Sequence, residues 1–97
     1  MMSLKYYKKA LENIEEIFIY IFQDKPDTAK QYIKNLRKRI EILHFFPNLG
    51  QDCKTKMINK KCKVLALDNF LIFYKVNGDV VTIQRVINQK QNYKGSI

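Results

Sequence analysis

The sequence predicts an α+β fold in which an N-terminal helical hairpin packs on one face of a 3–4-stranded antiparallel sheet. Three observations carry this expectation. Apolar residues recur at helical spacing through the first half of the chain. The break Asp24-Lys25-Pro26-Asp27 is too short to separate two helices by more than a tight reversal. Asn77-Gly78 then divides two runs of strand-forming residues, the pattern of a β-hairpin.

A short run at Leu4–Tyr6 is a candidate strand to join the sheet. The first helix follows, with Ala10, Leu11, Ile14, Ile17, Phe18, Ile21 and Phe22 on one face and Glu12, Glu15 and Glu16 opposite. These acids are expected in the early turns, where the helix dipole favours negative charge. Ile19 and Tyr20 widen the apolar surface beyond what one core contact requires. Pro26 suits the first turn of a second helix, with Asp24, Lys25 and Asp27 all open as its cap. That helix turns Ala29, Tyr32, Ile33, Leu36, Ile40 and Leu43 inward and Lys30, Lys34, Arg37 and Lys38 outward. It must end by Phe46, since Pro47 cannot continue it and Gly50 follows.

After Gly50 the pattern changes. Gln51–Lys61 reads as a lysine-rich loop with Met57 and Ile58 as its apolar anchors. Strand-like runs follow around Val64, Leu65 and Leu67, over Phe70–Val76, and over Val80–Ile87. Asn77-Gly78 is expected to form the two-residue turn with positive φ at both positions. Simple alternation in the last strand puts Val81, Ile83 and Arg85 on one face and Val80, Thr82, Gln84 and Val86 on the other. Gln89–Ile97 is polar apart from Tyr93 and Ile97.

Length and composition set the outer bounds. The 97 residues suffice for a single domain over 1–97, and 46% hydrophobic content argues against a disordered chain. No apolar run approaches the roughly 20 residues of a membrane-spanning helix. Met1–Lys9 lacks the basic-then-apolar order of a signal peptide, so a cytoplasmic location is expected, with no membrane partner. The net charge of +9 is uneven. Residues 1–50 carry nine basic and six acidic side chains, whereas residues 51–97 carry nine basic and only Asp52, Asp68 and Asp79. Such a field attracts phosphate backbones or an acidic protein.

Enzyme signatures are sparse. There is no glycine-rich phosphate loop, no zinc-ligand spacing and no Ser/His/Asp set, so neither a metal nor another cofactor is expected. Cys53 and Cys62 have no further Cys or His nearby to complete a metal set, and both are read as free thiols, structural or incidental. His44, the single histidine, falls on a helical stretch and is read as a surface or capping group.

Three segments together resemble the RelE/ParE toxin superfamily. The first is Ala10-Leu11-Glu12-Asn13-Ile14-Glu15-Glu16-Ile17 followed by Tyr20-Ile21, similar to that family's first-helix signature. The second runs through Ala29, Ile33, Leu36, Ile40 and Leu43 to Phe46-Pro47-Asn48-Leu49-Gly50, which resembles the family's helix exit. The third is Phe70–Val76, the hairpin, and Val81-Thr82-Ile83-Gln84-Arg85-Val86-Ile87, similar to the ParE-type strand pair. The resemblance implies the toxin of a bacterial type II toxin–antitoxin system, with growth inhibition, plasmid stabilisation and a cognate antitoxin bearing an acidic segment.

Two mechanisms are implied by different branches. ParE-like members act by binding DNA gyrase, without chemistry of their own. RelE-like members are ribosome-dependent mRNA endoribonucleases, for which Lys63, Arg85, Lys90 and Tyr93 would be the catalytic candidates. Lys56, Lys60, Lys61, Lys63, Arg85, Asn88 and Lys90 are the candidate contacts to nucleic acid or target in either case. A degenerate, non-toxic antitoxin-binding module would carry the same pattern. Asn88 stands where many relatives have a histidine, and an amide cannot exchange protons near neutral pH. Lys63 stands where an arginine is common, keeping the charge but not the planar fork. The strand pattern and Asn88 favour the gyrase branch. Ile19, Ile42 and Phe45 exceed the needs of a two-helix core and are expected to face the antitoxin or a second copy in a homodimer or hetero-oligomer.

Overall fold

The computed structural model describes residues 2–56 and 61–90, with the side chains of 55 and 56 left aside. The expectations placed on Met57, Ile58, Lys60, Tyr93 and the Lys56 side chain therefore lie outside the described residues. In chain order the elements are β1 (Ser3–Tyr6), α1 (Lys8–Asp24), α2 (Pro26–Ile40), a 3₁₀ turn (Glu41–His44), β2 (Gln51–Asp52), a second 3₁₀ turn (Cys53–Lys56), β3 (Lys63–Leu67), β4 (Phe70–Asn77) and β5 (Val80–Asn88). The class is α+β, as expected, and the sheet has five strands in the order β1-β5-β4-β3-β2.

Two strands change the expected sheet. β1 pairs with β5 in parallel, so the sheet is mixed rather than wholly antiparallel. A parallel pair needs a long connection, and here the rest of the fold supplies it. β2 falls inside the segment expected to be loop; Gln51 and Asp52 pair with Val64 and Lys63. Two residues are too few to leave a period-2 signal.

Lys25 alone joins the helices. Its N–H donates to Ile21 O at 2.7 Å and its carbonyl accepts from Ala29 N at 3.0 Å, so the reversal satisfies both helix ends with backbone groups. Lys25 occupies the cap position of α2 without a side-chain hydrogen bond, and Pro26 follows in the first turn. α1 begins at Lys8, so its first turn carries no acid and Glu12 lies one turn too deep for the dipole contact expected of it.

The hairpin covers one face of the sheet. Ala10 and Ile14 of α1, Leu36 and Ile40 of α2, and Leu43 pack against Ile72, Tyr74, Val81, Ile83 and Val86. A β-bulge decides the last of these. Phe73 pairs with Arg85 and Tyr74 with Ile83, leaving Gln84 as the extra residue of β5. Beyond the bulge the alternation is inverted. Val86 joins Val81 and Ile83 under the helices, and Arg85 shares the far face with Phe73, the reverse of the placement that simple alternation gave.

The turns and the far face also differ from expectation. Asn77 pairs with Val80, so the central turn residues are Gly78 and Asp79, and of these only Gly78 has positive φ, at 58°. That is the pattern of a turn with glycine first. The far face carries a second apolar cluster of Cys53, Cys62, Val64, Leu71, Phe73 and Ile87, all buried. Cys53 and Cys62 are joined by a disulfide, with Cα atoms 5.3 Å apart, so they are not free thiols. The pairing of β2 with β3 brings the two residues opposite each other, a closeness that their separation in sequence does not reveal.

Candidate functional site

The segment Phe46-Pro47-Asn48-Leu49-Gly50 leads the chain from the helical layer into the sheet, and Tyr74 fastens it. The Tyr74 hydroxyl accepts from Gly50 N and donates to Pro47 O, both at 2.8 Å. Burial pushes the Tyr74 phenol above its ordinary pKa, with the Gly50 N–H drawing it partly back. Gly50 has no room for a side chain; a Cβ there would lie 2.7 Å from the Tyr74 hydroxyl and 2.8 Å from Val64 O. At the other end of this exit, the His44 Nδ1–H donates to Met2 O, while Met2 N donates to His44 O at 3.3 Å. His44 thus ties β1 to the end of the helical layer.

A cleft of about 850 Å³ opens between α1 and the far end of β4 and β5. Lys9, Asn13, Glu16, Ile17, Tyr20 and Ile21 of α1 line one wall, Tyr32 of α2 and Phe70 close one end, and Asn69 and the Arg85–Asn88 stretch form the other wall. Asn13 holds the cleft together, its Oδ1 accepting from Val86 N at 3.1 Å just beyond the bulge. Sequence reasoning passed over Asn13; the available signal was an amide beside Ile14 on an apolar helical face.

Among the described residues, Lys63 and Arg85 do not converge. By register Lys63 shares the helix-covered face with Tyr74, whereas Arg85 shares the far face with Phe73. Arg85 Nη1 donates to the Gln84 carbonyl at 2.7 Å. Asn88 pairs with Phe70, four residues along β4 from the partner of Lys63, a strand distance of about 13 Å. Its Oδ1 accepts from Lys90 N at 2.9 Å, which turns the chain out of the sheet. Lys61 and Lys90 are exposed. Among the described residues no group of His, Cys, Asp and Glu is placed to hold a metal ion.

A second groove lies on the outer surface of the helical hairpin. Phe18 and Ile33 form its apolar floor, and Lys30, Lys34, Arg37, Lys38 and Glu41 surround it. Exposed apolar side chains flank the same layer, with Ile19 47%, Ile42 41% and Phe45 64% accessible. Leu11 and Phe22, expected on the apolar face of the first helix, are exposed to a similar degree, as are Phe46 and Leu49 of the exit segment. Helical spacing alone could not separate Leu11 and Phe22 from core residues.

Comparison with family models decides the assignment. The model described as the ParE toxin of the type II toxin–antitoxin system parDE matches residues 4–93. The chain belongs to the ParE toxin family. Among solved structures, a chain of the chromosomal ParDE TA system from P. aeruginosa superposes with a TM-score of 0.74 at 21% identity, covering 91% of this chain and 96% of that one. Comparison with curated proteins gives no match. Within the ParE family assignment, the expected helix exit and strand pair correspond to the Tyr74–Gly50 fastening and the bulged β4–β5 ladder. No helix among the described residues is long and apolar enough to cross a membrane.

Proposed function

We propose that this ParE-family chain inhibits growth by binding DNA gyrase, and that a cognate antitoxin with an acidic segment neutralises it. The observation that carries this reading is the family match over residues 4–93. Among the described residues, the placement of the candidate side chains favours binding over chemistry. An RNA-cleaving site needs cations and a proton-transfer group within hydrogen-bond reach of one phosphate. Lys63 and Arg85 lie on opposite faces of the sheet, and the end of β5 offers the amide of Asn88.

The antitoxin's seat is the groove of the helical hairpin. Its apolar floor at Phe18 and Ile33 suits an amphipathic segment, and Lys30, Lys34, Arg37 and Lys38 complement acidic side chains. Ile19, Ile42 and Phe45 are further exposed apolar side chains for the same partner to cover.

Purified chain added to gyrase, relaxed plasmid and ATP is expected to suppress supercoiling and accumulate cleaved DNA. The same protein incubated with mRNA-programmed ribosomes is expected to leave the message intact. Undiminished supercoiling together with cleavage in the ribosomal decoding site would overturn the proposal.

A further inference from the structure

We propose that Cys53–Cys62 is a reversible thiol–disulfide site that clasps the β2 edge of the sheet and is opened by a low-molecular-weight thiol. The position of the bond supports this. Asp52 pairs with Lys63, and Cys53 and Cys62 are the next residues inward from that pair. The disulfide therefore closes its ring directly on the end of a two-residue strand. Apart from that short ladder, the backbone contact there is Cys53 N donating to Cys62 O at 2.9 Å. Two such residues gain little from ladder pairing alone. The covalent bond is what makes β2 a fixed edge.

Two consequences follow from where the sulfurs sit. They supply two members of the six-residue far-face cluster, alongside Val64, Leu71, Phe73 and Ile87. Opening the bond unties one side of that cluster while β4 and β5 keep their own long ladder. The bond also fixes the backbone immediately before Lys54 and immediately after Lys61.

The chemistry balances with a thiol as co-reactant. Cys53 is fully buried and Cys62 keeps 8% of its residue surface, so the attack is assigned to the Cys62 side of the bond. Attack forms a mixed disulfide at Cys62, breaks the internal S–S bond and expels Cys53 as a thiolate, which takes up a proton. A second thiol attacks the external sulfur of the mixed disulfide and releases Cys62, also protonated. Two thiols are oxidised to one small disulfide as the protein gains two hydrogens.

The test uses the full chain purified in air. Intact mass after iodoacetamide is expected to show no alkylation of Cys53 or Cys62 before reduction and two additions after it. Reduction is expected to lower Tm by about 10–20 °C, and oxidised glutathione to restore it. Amide exchange is expected to rise at residues 51–54 and 62–67 and to stay unchanged across β4 and β5. The Cys53→Ser, Cys62→Ser double variant is expected to match the reduced protein and ignore reductant; Cys53→Ala with Cys62→Ala serves equally if serine is poorly accommodated. Two alkylations without reductant, a Tm indifferent to reductant, or exchange rising throughout the domain would each overturn the proposal.

Discussion

Replacing Tyr74 by phenylalanine removes one oxygen atom and with it the fastening between the helix exit and the sheet. The Tyr74 ring is fully buried, and its hydroxyl is paired at 2.8 Å with both Gly50 N and Pro47 O. Gly50 is buried, so its N–H loses a partner that water does not readily replace. Pro47 is only partly buried, and its carbonyl can turn to solvent. An unsatisfied buried group costs about 1–3 kcal/mol, and a net hydrogen bond to a hydratable group about 1 kcal/mol. The expected loss for Tyr74→Phe is therefore about 2–4 kcal/mol, or roughly 10–25 °C in Tm for a domain of this size. Urea denaturation followed by far-UV circular dichroism reads the loss directly, with the midpoint falling at constant slope. Gly50→Ala attacks the same joint from the other side, since its Cβ would crowd the Tyr74 hydroxyl and Val64 O. In the double variant one of those clashes is relieved while the backbone one remains, so the two losses should sum to more than the double variant shows. A Tyr74→Phe stability within about 0.5 kcal/mol of the parent, or strict additivity with Gly50→Ala, would refute this account of the exit segment.

Other consequences are open to measurement. Burial holds the Tyr6, Tyr32 and Tyr74 phenols above the ordinary tyrosine pKa near 10. Stability should be unaffected by these groups below pH about 10 and fall above it, because the unfolded phenols ionise first. Tyr74→Phe should make that fall shallower, as followed by Tm against pH. Asn13→Ala leaves Val86 N without its partner at 3.1 Å and should cost about 1–2 kcal/mol, with faster amide exchange confined to β5 past the bulge. Arg39→Ala breaks a 2.8 Å pair with Asp68, but both side chains are about half exposed. Its measured cost should stay below about 1 kcal/mol and shrink further in high salt.

The layered architecture was legible because its determinants are periodic. Ala10, Ile14, Leu36 and Ile40 recur at helical spacing and are buried together, and the Lys25 reversal with Pro26 behind it marks where the hairpin folds. Features that depend on a single residue or on distant pairing were not legible. The bulge at Gln84 inserts one position into an otherwise regular strand, and nothing local in Thr82–Val86 distinguishes it from simple alternation. The disulfide follows from β2 meeting β3, and two residues of strand leave no pattern to read. The hairpin turn was misplaced by one residue because Asn77-Gly78 and Gly78-Asp79 are both good turn pairs, and cross-strand pairing chose between them.

That one extra residue also bears on function. Without the bulge, Arg85 would follow Val81 and Ile83 onto the helix-covered face, the face on which register places Lys63. With it, Arg85 crosses to the apolar far side beside Phe73, and the positive charge expected of a single phosphate-gripping surface is divided between two. Among the described residues, gathered charge lies instead on α2, where Lys30, Lys34 and Lys38 recur every four residues and Arg37 stands beside them around an apolar floor. Cations spaced along a helix act on a partner at long range and position it over a hydrophobic groove. They do not converge on one atom, as stabilising a transition state requires. Among the described residues, this spacing of charge suits the capture of a macromolecular partner that the proposed function requires.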